Sequence, residues 1–270
     1  ADVLPPDILV AMKAANFKGL CFGIETGSEA VMARINKKEK VADILDTALR
    51  VKKQGFETEG AIIFGFPEET YEDRLKGVAL AQRMGLTRVR FNNLSPYPGT
   101  PVFHTARASG ELHIEEGWAN FISAGATATK LGSGFRLPYV PAGTTNGALQ
   151  GEVLIANLFS TVRDRLSNMI TRERKPSGMG FELTFYQLLY PRKLYHLFMA
   201  FSTILLRLSW FMLTEAECRK FFFTVLFNRF PPMDPEVEEA FQRHTNPSHE
   251  SLESSDQETN PSLLLDGVGK

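Results

Sequence analysis

Three segments of the chain carry residue types that ligand sites use, and each follows a stretch typical of a buried strand. They are Gly23–Ser28 (Gly-Ile-Glu-Thr-Gly-Ser), Gly65–Glu68 (Gly-Phe-Pro-Glu) and Asn92–Thr100 (Asn-Asn-Leu-Ser-Pro-Tyr-Pro-Gly-Thr). Glycine lets a ligand approach the main chain, and carboxylate, hydroxyl and amide groups supply hydrogen-bond partners. In parallel α/β folds, ligands bind at the carboxyl ends of the strands. The three segments therefore predict a binding site at such strand ends.

Helices separate these strands. Apolar residues at helical spacing predict helices, and short apolar runs predict strands. The predicted helices are Asp7–Ala15, Val41–Gln54 and Thr70–Met84, and the predicted strands are Gly19–Ile24, Thr58–Phe64 and Thr87–Leu94. Thr70 and Asp73 form a capping-box pattern, while Asn16, Gly55 and Gly85 stand where helices end. This alternation predicts a parallel sheet joined by right-handed crossovers.

Three strand–helix units are too few to close a barrel. The first predicted helix also has no strand before it. We therefore interpret this region as the second half of a larger α/β domain whose first half is missing from the chain. The alternative is a complete three-stranded α/β domain, which leaves a parallel edge strand exposed.

Composition sets broad limits on function. The 270 residues are 43% hydrophobic and 23% charged, as in a folded protein, and the net charge of −1 predicts no nucleic-acid partner. Cys21 and Cys218 are too few for a zinc or iron–sulfur site, and they give no disulfide framework. A reducing, cytoplasmic location is therefore expected. His104 and His113 are interpreted as surface residues, so no metal ligands are predicted.

Three local patterns stand in a specific order. The first is Gly23–Glu29 followed by Ile35-Asn36-Lys37, the second is Gly60–Glu68, close to G-x-I-x-G-x-x-E, and the third is Pro96–Thr100. Together they resemble the C-terminal half of the radical S-adenosylmethionine (radical SAM) core. The likeness is to the subfamily that often carries a cobalamin-binding domain, and it covers roughly residues 1–110.

The resemblance implies a partial (β/α)6 barrel and a cofactor site for S-adenosylmethionine. The residues assigned to the cofactor are Glu25, Thr26, Ser28, Lys37, Ile63, Gly65, Asn92 and Leu94. The first three would lie near the ribose or the amino-acid part, and Lys37 near the carboxylate. Ile63 and Gly65 would lie near the adenine, whose edge the backbone at 92–94 would read. Each motif alone favours a structural role, whereas the ordered set favours the cofactor site.

The family's defining loop, C-x3-C-x2-C, is absent from the chain. That loop holds a [4Fe–4S] cluster, so the resemblance implies cluster ligands outside this chain. The chain alone is then expected to be inactive, while the complete protein would carry out radical chemistry. Cobalamin-dependent methylation is one outcome that the resemblance implies, and the catalytic residues stay unassigned.

The composition changes along the chain and predicts four regions. They are a partial barrel (1–130), a Gly/Pro/Thr-rich linker (131–150), a helical basic and aromatic domain (151–232) and an acidic, disordered tail (233–270). From Arg163 to Arg207 the sequence contains eight basic and three acidic residues, which gives a net charge of +5. From Asp234 onward the net charge is −7.

Leu194–Leu213 is an apolar segment of 20 residues, long enough to span a bilayer. Arg207 inside it makes a spanning helix costly. A polar stripe opposite an apolar one predicts an amphipathic helix instead. The stripes are His196, Thr203, Arg207 and Trp210 against Leu194, Leu197, Phe201, Leu205, Leu208 and Met212. Packing in a helical domain is the favoured interpretation, ahead of peripheral membrane contact through residues 151–230 or a channel for an apolar substrate.

Two classes of function follow from these patterns. The favoured one is a fragment of a radical SAM enzyme acting on an unknown, small or lipid-like substrate. A barrel enzyme that binds a phosphate ranks lower, because the chain has no Gly-rich phosphate loop. The non-enzymatic alternative is a membrane-surface or partner-binding protein, without catalytic activity, built on a degenerate α/β scaffold.

Overall fold

The computed structural model describes residues 4–121, 135–170 and 191–245. Its first part alternates strands and helices, and its last part is helical. The elements are α1 (Pro6–Ala14), β1 (Gly19–Glu25), α2 (Glu29–Arg34), α3 (Val41–Lys53), β2 (Glu57–Phe64), α4 (Tyr71–Met84), β3 (Arg88–Asn93), α5 (Pro101–Ala108), a 3-10 turn (Glu116–Trp118), α6 (Asn146–Ile170), α7 (Pro191–Thr214), α8 (Ala216–Leu226) and α9 (Pro235–Thr245).

The three strands form a parallel sheet in the order β1-β2-β3. Helices α2 and α3 connect β1 to β2, and α4 connects β2 to β3. Three parallel strands alternating with helices, followed by a helical C-terminal region, confirm the predicted α/β class. Closure into a partial barrel stays a prediction.

The two faces of the sheet differ in burial. Ile24, Ile62, Phe64 and Phe91 point into the core and are almost fully buried. The alternate positions on the opposite face are half-buried or exposed, and we call this the open face. Its residues are Cys21, Gly23, Glu59, Ala61, Ile63, Arg88, Arg90 and Asn92. Gly60 faces the core, where an added Cβ would lie 2.5 Å from Ile24 Cδ1. The glycine therefore lets the sheet pack tightly.

The C-terminal helices pack against the α/β part. Helix α6 lies along β3, and α9 lies along α3. One hydrophobic cluster contains Ile62 and Phe64 of the sheet together with Leu149, Phe221 and Val237 of the helices. The strand-bearing and helical parts therefore share a core. The division into four regions stays a prediction.

Helix α6 also completes the outer edge of β3. The Asn157 side chain accepts a hydrogen bond from the Phe91 N–H (3.0 Å) and donates one to the Phe91 carbonyl (2.8 Å). The amide thus pairs with β3 as a neighbouring strand would. At Phe91, the outer edge of β3 is therefore paired with the Asn157 side chain.

The predicted helix boundaries in the first part agree closely with the structure. Thr70 and Asp73 form both hydrogen bonds of the capping box at the start of α4. Gly85 closes that helix with a left-handed backbone (φ 52°), and Asn16 follows α1 with φ 65°. Local chemistry therefore sets these ends.

The C-terminal part departs from the predicted helix limits. The helical region predicted to begin at residue 151 begins earlier in the structure, because α6 starts at Asn146, inside the expected linker. Of the segment expected to be disordered, Pro235–Thr245 forms α9 and buries Val237 and Ala240. Residues 131–134, 171–190 and 246–270, on which parts of these expectations fall, lie outside the described residues.

Helix α7 differs in orientation from the predicted stripes. Arg207, expected on a polar face, is buried, and its Nη2 donates to Gln150 Oε1 (3.1 Å). Phe201 and Leu205, expected on the opposite apolar face, are exposed. Contacts with α6 and α8 set this rotation, which the helical period alone does not reveal. Across the described ranges, no helix is both long and apolar enough to cross a membrane.

Candidate functional site

The carboxyl ends of β1, β2 and β3 meet at one edge of the sheet, because the strands are parallel and adjacent. Ile63 of β2 is the register partner of Asn92 of β3, and both lie on the open face. At β1 the register shifts between Gly23 and Glu25. The structure thus brings the three predicted segments together at one place.

A charged pair stands at the end of β1. Glu25 has a left-handed backbone (φ 66°), and its Oε1 lies 3.6 Å from Lys37 Nζ. Lys37 Nζ also donates to the Gly23 carbonyl and lies 3.4 Å from Glu39 Oε2. Both Glu25 and Lys37 are half-buried. A carboxylate and an ammonium are therefore held together at the rim of the open face.

The hydroxyls of Thr26 and Ser28 act within the turn that follows β1. Both side chains are fully buried. Thr26 Oγ1 accepts from the Ser28 N–H (3.2 Å), and Ser28 Oγ accepts from the Val31 N–H as the N-cap of α2. The Ser28 hydroxyl also bonds to the Asp73 carboxylate. These residues shape the turn, and their contact with a ligand stays a prediction.

The end of β2 is held by Gly65. Its backbone has φ 99°, and an added Cβ would lie 2.9 Å from Leu149 Cδ2. A side chain there would be both strained and crowded. The Gly65 N–H donates to Glu69 Oε2 at 2.6 Å. The glycine therefore permits a tight turn that brings the main chain close to the site.

The end of β3 contributes one half-buried amide and one buried amide. Asn92 is half-buried on the open face, whereas Asn93 points inward and donates to the Leu149 carbonyl (3.3 Å). The Leu94 N–H donates to the Phe64 carbonyl (2.9 Å). Because the Leu94 N–H is hydrogen-bonded within the protein, the predicted hydrogen bonding of the backbone at 92–94 to the adenine edge would depend on the other groups of this segment.

Sequence reasoning missed Glu69, the residue that organises the β2–α4 turn. The quoted pattern ends at Glu68, which is exposed, whereas Glu69 is buried. Burial raises the pKa of Glu69 to about 8, although the Gly65 N–H and Arg74 both act to lower it. The signal in the sequence was the position of Glu69 directly before the N-cap Thr70, where a turn can direct it back toward Gly65.

A buried ion pair behind this turn was also missed. Arg74 Nε lies 2.5 Å from Glu152 Oε2, and its Nη2 lies 3.3 Å from Glu152 Oε1. Burial lowers the pKa of Arg74, but the Glu152 carboxylate outweighs burial and raises it. The pair joins α4 to α6, and two residues so distant in sequence gave no local pattern.

The cysteines do not form a metal centre. Cys21 is exposed on the open face, whereas Cys218 is buried in α8, where its thiol contacts the Ala148 carbonyl at 3.4 Å. Burial raises the pKa of the Cys218 thiol. Within residues 4–121, 135–170 and 191–245, no group of three or more His, Cys, Asp or Glu side chains is placed to hold a metal ion.

The arrangement can bind a small polar ligand with an apolar part. Glu25 can accept hydrogen bonds from hydroxyl or ammonium groups, and Lys37 can pair with a carboxylate. Ile63 supplies apolar surface, and Asn92 supplies an amide on the neighbouring strand. These groups come from three strands and from the loop between α2 and α3, so the site depends on the fold rather than on one loop.

Comparison with known proteins adds to this geometry. The model of the radical SAM superfamily matches residues 1–81. An uncharacterized methyltransferase of Pyrococcus horikoshii is 31% identical over 102 residues. A threonylcarbamoyladenosine tRNA methylthiotransferase of Thermotoga maritima is 33% identical over 84 residues, and a bacteriochlorophyllide d C-8(2)-methyltransferase of Chlorobaculum tepidum is 29% identical over 87 residues.

These matches are partial on both sides. They cover 38%, 30% and 32% of this chain, and 22%, 19% and 18% of the respective relatives. The chain therefore aligns with about a fifth of the length of each relative. The match of the superfamily model includes β1, β2 and the Gly65–Glu69 turn. Residues 1–81 of this chain are a radical SAM superfamily domain, distantly related to methyltransferases and methylthiotransferases.

Proposed function

We propose that this chain binds S-adenosylmethionine at the carboxyl ends of β1–β3, as part of a radical SAM enzyme. The observation that carries the proposal is the convergence of Glu25, Lys37, Ile63, Gly65 and Asn92 at one edge of a parallel sheet. The superfamily match over residues 1–81 supports it, because that match contains two of the three strands.

The chemistry of the ligand suits these groups. Glu25 would accept hydrogen bonds from the ribose hydroxyls or the amino group, and Lys37 would pair with the carboxylate. Ile63 would pack against the adenine, and the turn at Gly65 would let that ring approach the main chain. Thr26 and Ser28 would hold the turn that presents Glu25, because their hydroxyls bond within it.

The superfamily also implies a [4Fe–4S] cluster, and the cysteines of this chain do not fit one. Cys21 and Cys218 are the only two cysteines, and they lie on β1 and α8 respectively. A cluster usually needs three or four thiolates. We therefore propose that its ligands are groups other than these two cysteines. When bound together and supplied with an electron, the cluster and S-adenosylmethionine would provide one-electron radical chemistry to the complete enzyme.

Methyl transfer is the reaction class we propose for the complete enzyme. Two of the relatives are named methyltransferases, and the relative from Chlorobaculum tepidum is named for bacteriochlorophyllide d. The helical C-terminal region exposes several large apolar side chains. An apolar substrate fits both observations. Use of cobalamin belongs to the same proposal and rests on the subfamily resemblance.

Binding of S-adenosylmethionine to the purified chain, measured by isothermal titration calorimetry, tests the proposal. We expect saturable binding, weakened about tenfold or more in Glu25→Gln, because a charge-assisted hydrogen bond is lost. The matched control is Glu57→Gln, the same change at the opposite edge of the sheet. Absence of binding to the wild-type chain, or an equal loss in both variants, would contradict the proposed site.

A further inference from the structure

Helix α7 turns an apolar face toward solvent. The residues that share this face by helical spacing are Tyr195, Met199, Leu206, Trp210 and Leu213. Leu206, Trp210 and Leu213 are 62%, 63% and 79% exposed, and Phe201 and Leu205 are exposed beside them. We call the five residues the α7 apolar face. Its length of five helical turns sets it apart from the scattered apolar residues normal on protein surfaces.

The internal charge of α7 lies on the side of the helix next to this face, and that side packs against the protein. Arg207 is buried against α6, where its Nη2 donates to Gln150 Oε1 and its guanidinium lies 5.7 Å from the centre of the Phe211 ring. Burial lowers the pKa of Arg207. Burying a cation while exposing leucine and tryptophan is unfavourable in water. This orientation of α7 becomes favourable when the α7 apolar face contacts an apolar medium.

The charges around the α7 apolar face favour an anionic surface. Helix α7 contains no Asp or Glu, and Arg192 and Lys193 stand in its first turn. Arg219 is exposed just beyond its last turn, where its Nη1 donates to the carbonyls of Met212 (2.9 Å) and Leu213 (3.1 Å). The two acids that follow α7 in the chain are hydrogen-bonded to hydroxyls before α6: Glu215 Oε2 accepts from Thr145 Oγ1 (2.9 Å), and Glu217 Oε2 accepts from Thr144 Oγ1 (3.2 Å).

We propose that the α7 apolar face docks on an anionic membrane surface, with the helix lying in the plane of the interface. Tyr195 and Trp210 near opposite ends suit the boundary between headgroups and acyl chains, and the aliphatic side chains between them suit shallow insertion. The exposed Arg219 at the C-terminal end of α7 would contact lipid phosphates. This docking is separate from cofactor binding, since α7 lies outside the superfamily match.

Sedimentation with lipid vesicles tests the docking. We expect the purified chain to bind vesicles that contain phosphatidylglycerol, to bind them less at high salt, and to bind phosphatidylcholine vesicles weakly. The double variant Leu206→Gln/Trp210→Gln should partition at least about tenfold less, because two inserting side chains are lost. The matched control is Ile8→Gln/Phe17→Gln, which removes two exposed apolar side chains from α1 and the loop after it.

A second measurement leaves the face intact. In Trp118→Phe, Trp210 is the remaining tryptophan, and vesicles with brominated acyl chains should quench its fluorescence. Absence of quenching, absence of vesicle binding, or equal loss in both double variants would overturn the proposal. So would self-association that depends on Leu206 and Trp210 without vesicle binding, because a second copy of the chain would then cover the face.

Discussion

A single hydrogen bond ties the turn after β2 to a buried carboxyl group. The Gly65 N–H donates to Glu69 Oε2 at 2.6 Å, and Gly65 holds a left-handed backbone that other residues rarely adopt. Burial raises the pKa of Glu69 to about 8. The main chain beside the proposed adenine contact is thus positioned by a group that titrates near neutral pH.

We expect Glu69→Gln to flatten the pH dependence of the free energy of unfolding. In the folded wild type Glu69 keeps its proton to about pH 8, whereas the unfolded chain releases it near 4.5. The stability that this proton contributes is complete below the unfolded pKa and falls as the pH rises toward 8, by at most about 1.4 kcal/mol per pH unit. Glutamine keeps an acceptor for Gly65 and does not titrate.

Urea unfolding at several pH values measures this slope. The control is Glu68→Gln, at the exposed neighbouring position, which should keep the wild-type slope. A slope in Glu69→Gln that matches the wild type between pH 4.5 and 8 would show that Glu69 is not the titrating group.

Among the elements, α9 has few apolar residues in its sequence and is held in place by contacts with the α/β part. Asp234 precedes it, accepting from the Glu29 N–H (2.9 Å) and from Lys76 Nζ (2.5 Å). Val237 and Ala240 are fully buried against the α/β part. The start of α9 is therefore fastened to α2 and α4, and its apolar side is covered by α3.

Asp234→Ala should lower the free energy of unfolding by about 1–3 kcal/mol, because the Glu29 N–H and Lys76 lose their acceptor. The matched control is Glu236→Ala in the same helix. Its partner Lys40 lies 3.0 Å away, and both side chains are largely exposed, so the cost should be clearly smaller than that of Asp234→Ala. Urea unfolding compares the two variants. Equal losses would mean that the Asp234 contacts do not fasten α9.

The elements that the sequence predicted well are those with a strong period and their own end signals. Helix α3 was expected at Val41–Gln54 and occupies Val41–Lys53. Helix α9 was not predicted, because its acid-rich sequence carries few apolar residues and its partner surface on α3 is distant in sequence. Periodicity identified α7 as amphipathic, yet its rotation depends on packing against α6 and α8, which buries Arg207.

At the scale of the whole molecule, apolar packing joins the α/β part to the helical part, and a buried ion pair adds to this packing. Arg74 and Glu152 are 2% and 0% exposed, and they connect α4 to α6. The same hydrophobic cluster surrounds both helices. Unfolding of the helical part would therefore uncover the core side of the sheet that carries the candidate site.

We expect strong coupling between Arg74 and Glu152 in a double-mutant cycle. Glu152→Gln should cost about 3–5 kcal/mol of unfolding free energy, because it leaves a buried guanidinium without its carboxylate. The double variant Arg74→Met/Glu152→Gln should cost less than the sum of Arg74→Met and Glu152→Gln measured alone. The control cycle is Arg83→Met with Glu238→Gln, a partly exposed pair whose coupling should stay below about 1 kcal/mol. Additive losses at Arg74 and Glu152 would contradict the expectation.

The location of the candidate site could be predicted from sequence, but the direction and the hydrogen bonds of each side chain could not. Strand ends rich in glycine and acid placed Glu25, Gly65 and Asn92 correctly at one edge. The directions of Ser28 and Glu69 depend on turns whose geometry is set by long-range packing. The Ser28 hydroxyl bonds inward, and Glu69 turns back under Gly65.

The side-chain amide of Asn157 limits which edge of the sheet can pair with a further strand. By occupying both hydrogen-bonding groups of Phe91, it blocks the middle of the outer edge of β3 against another strand. The outer edge of β1 pairs with no strand among the residues the structure describes. A strand that extends this sheet, from this polypeptide or from another, would therefore be favoured at β1, beside Cys21 and the Glu25–Lys37 pair.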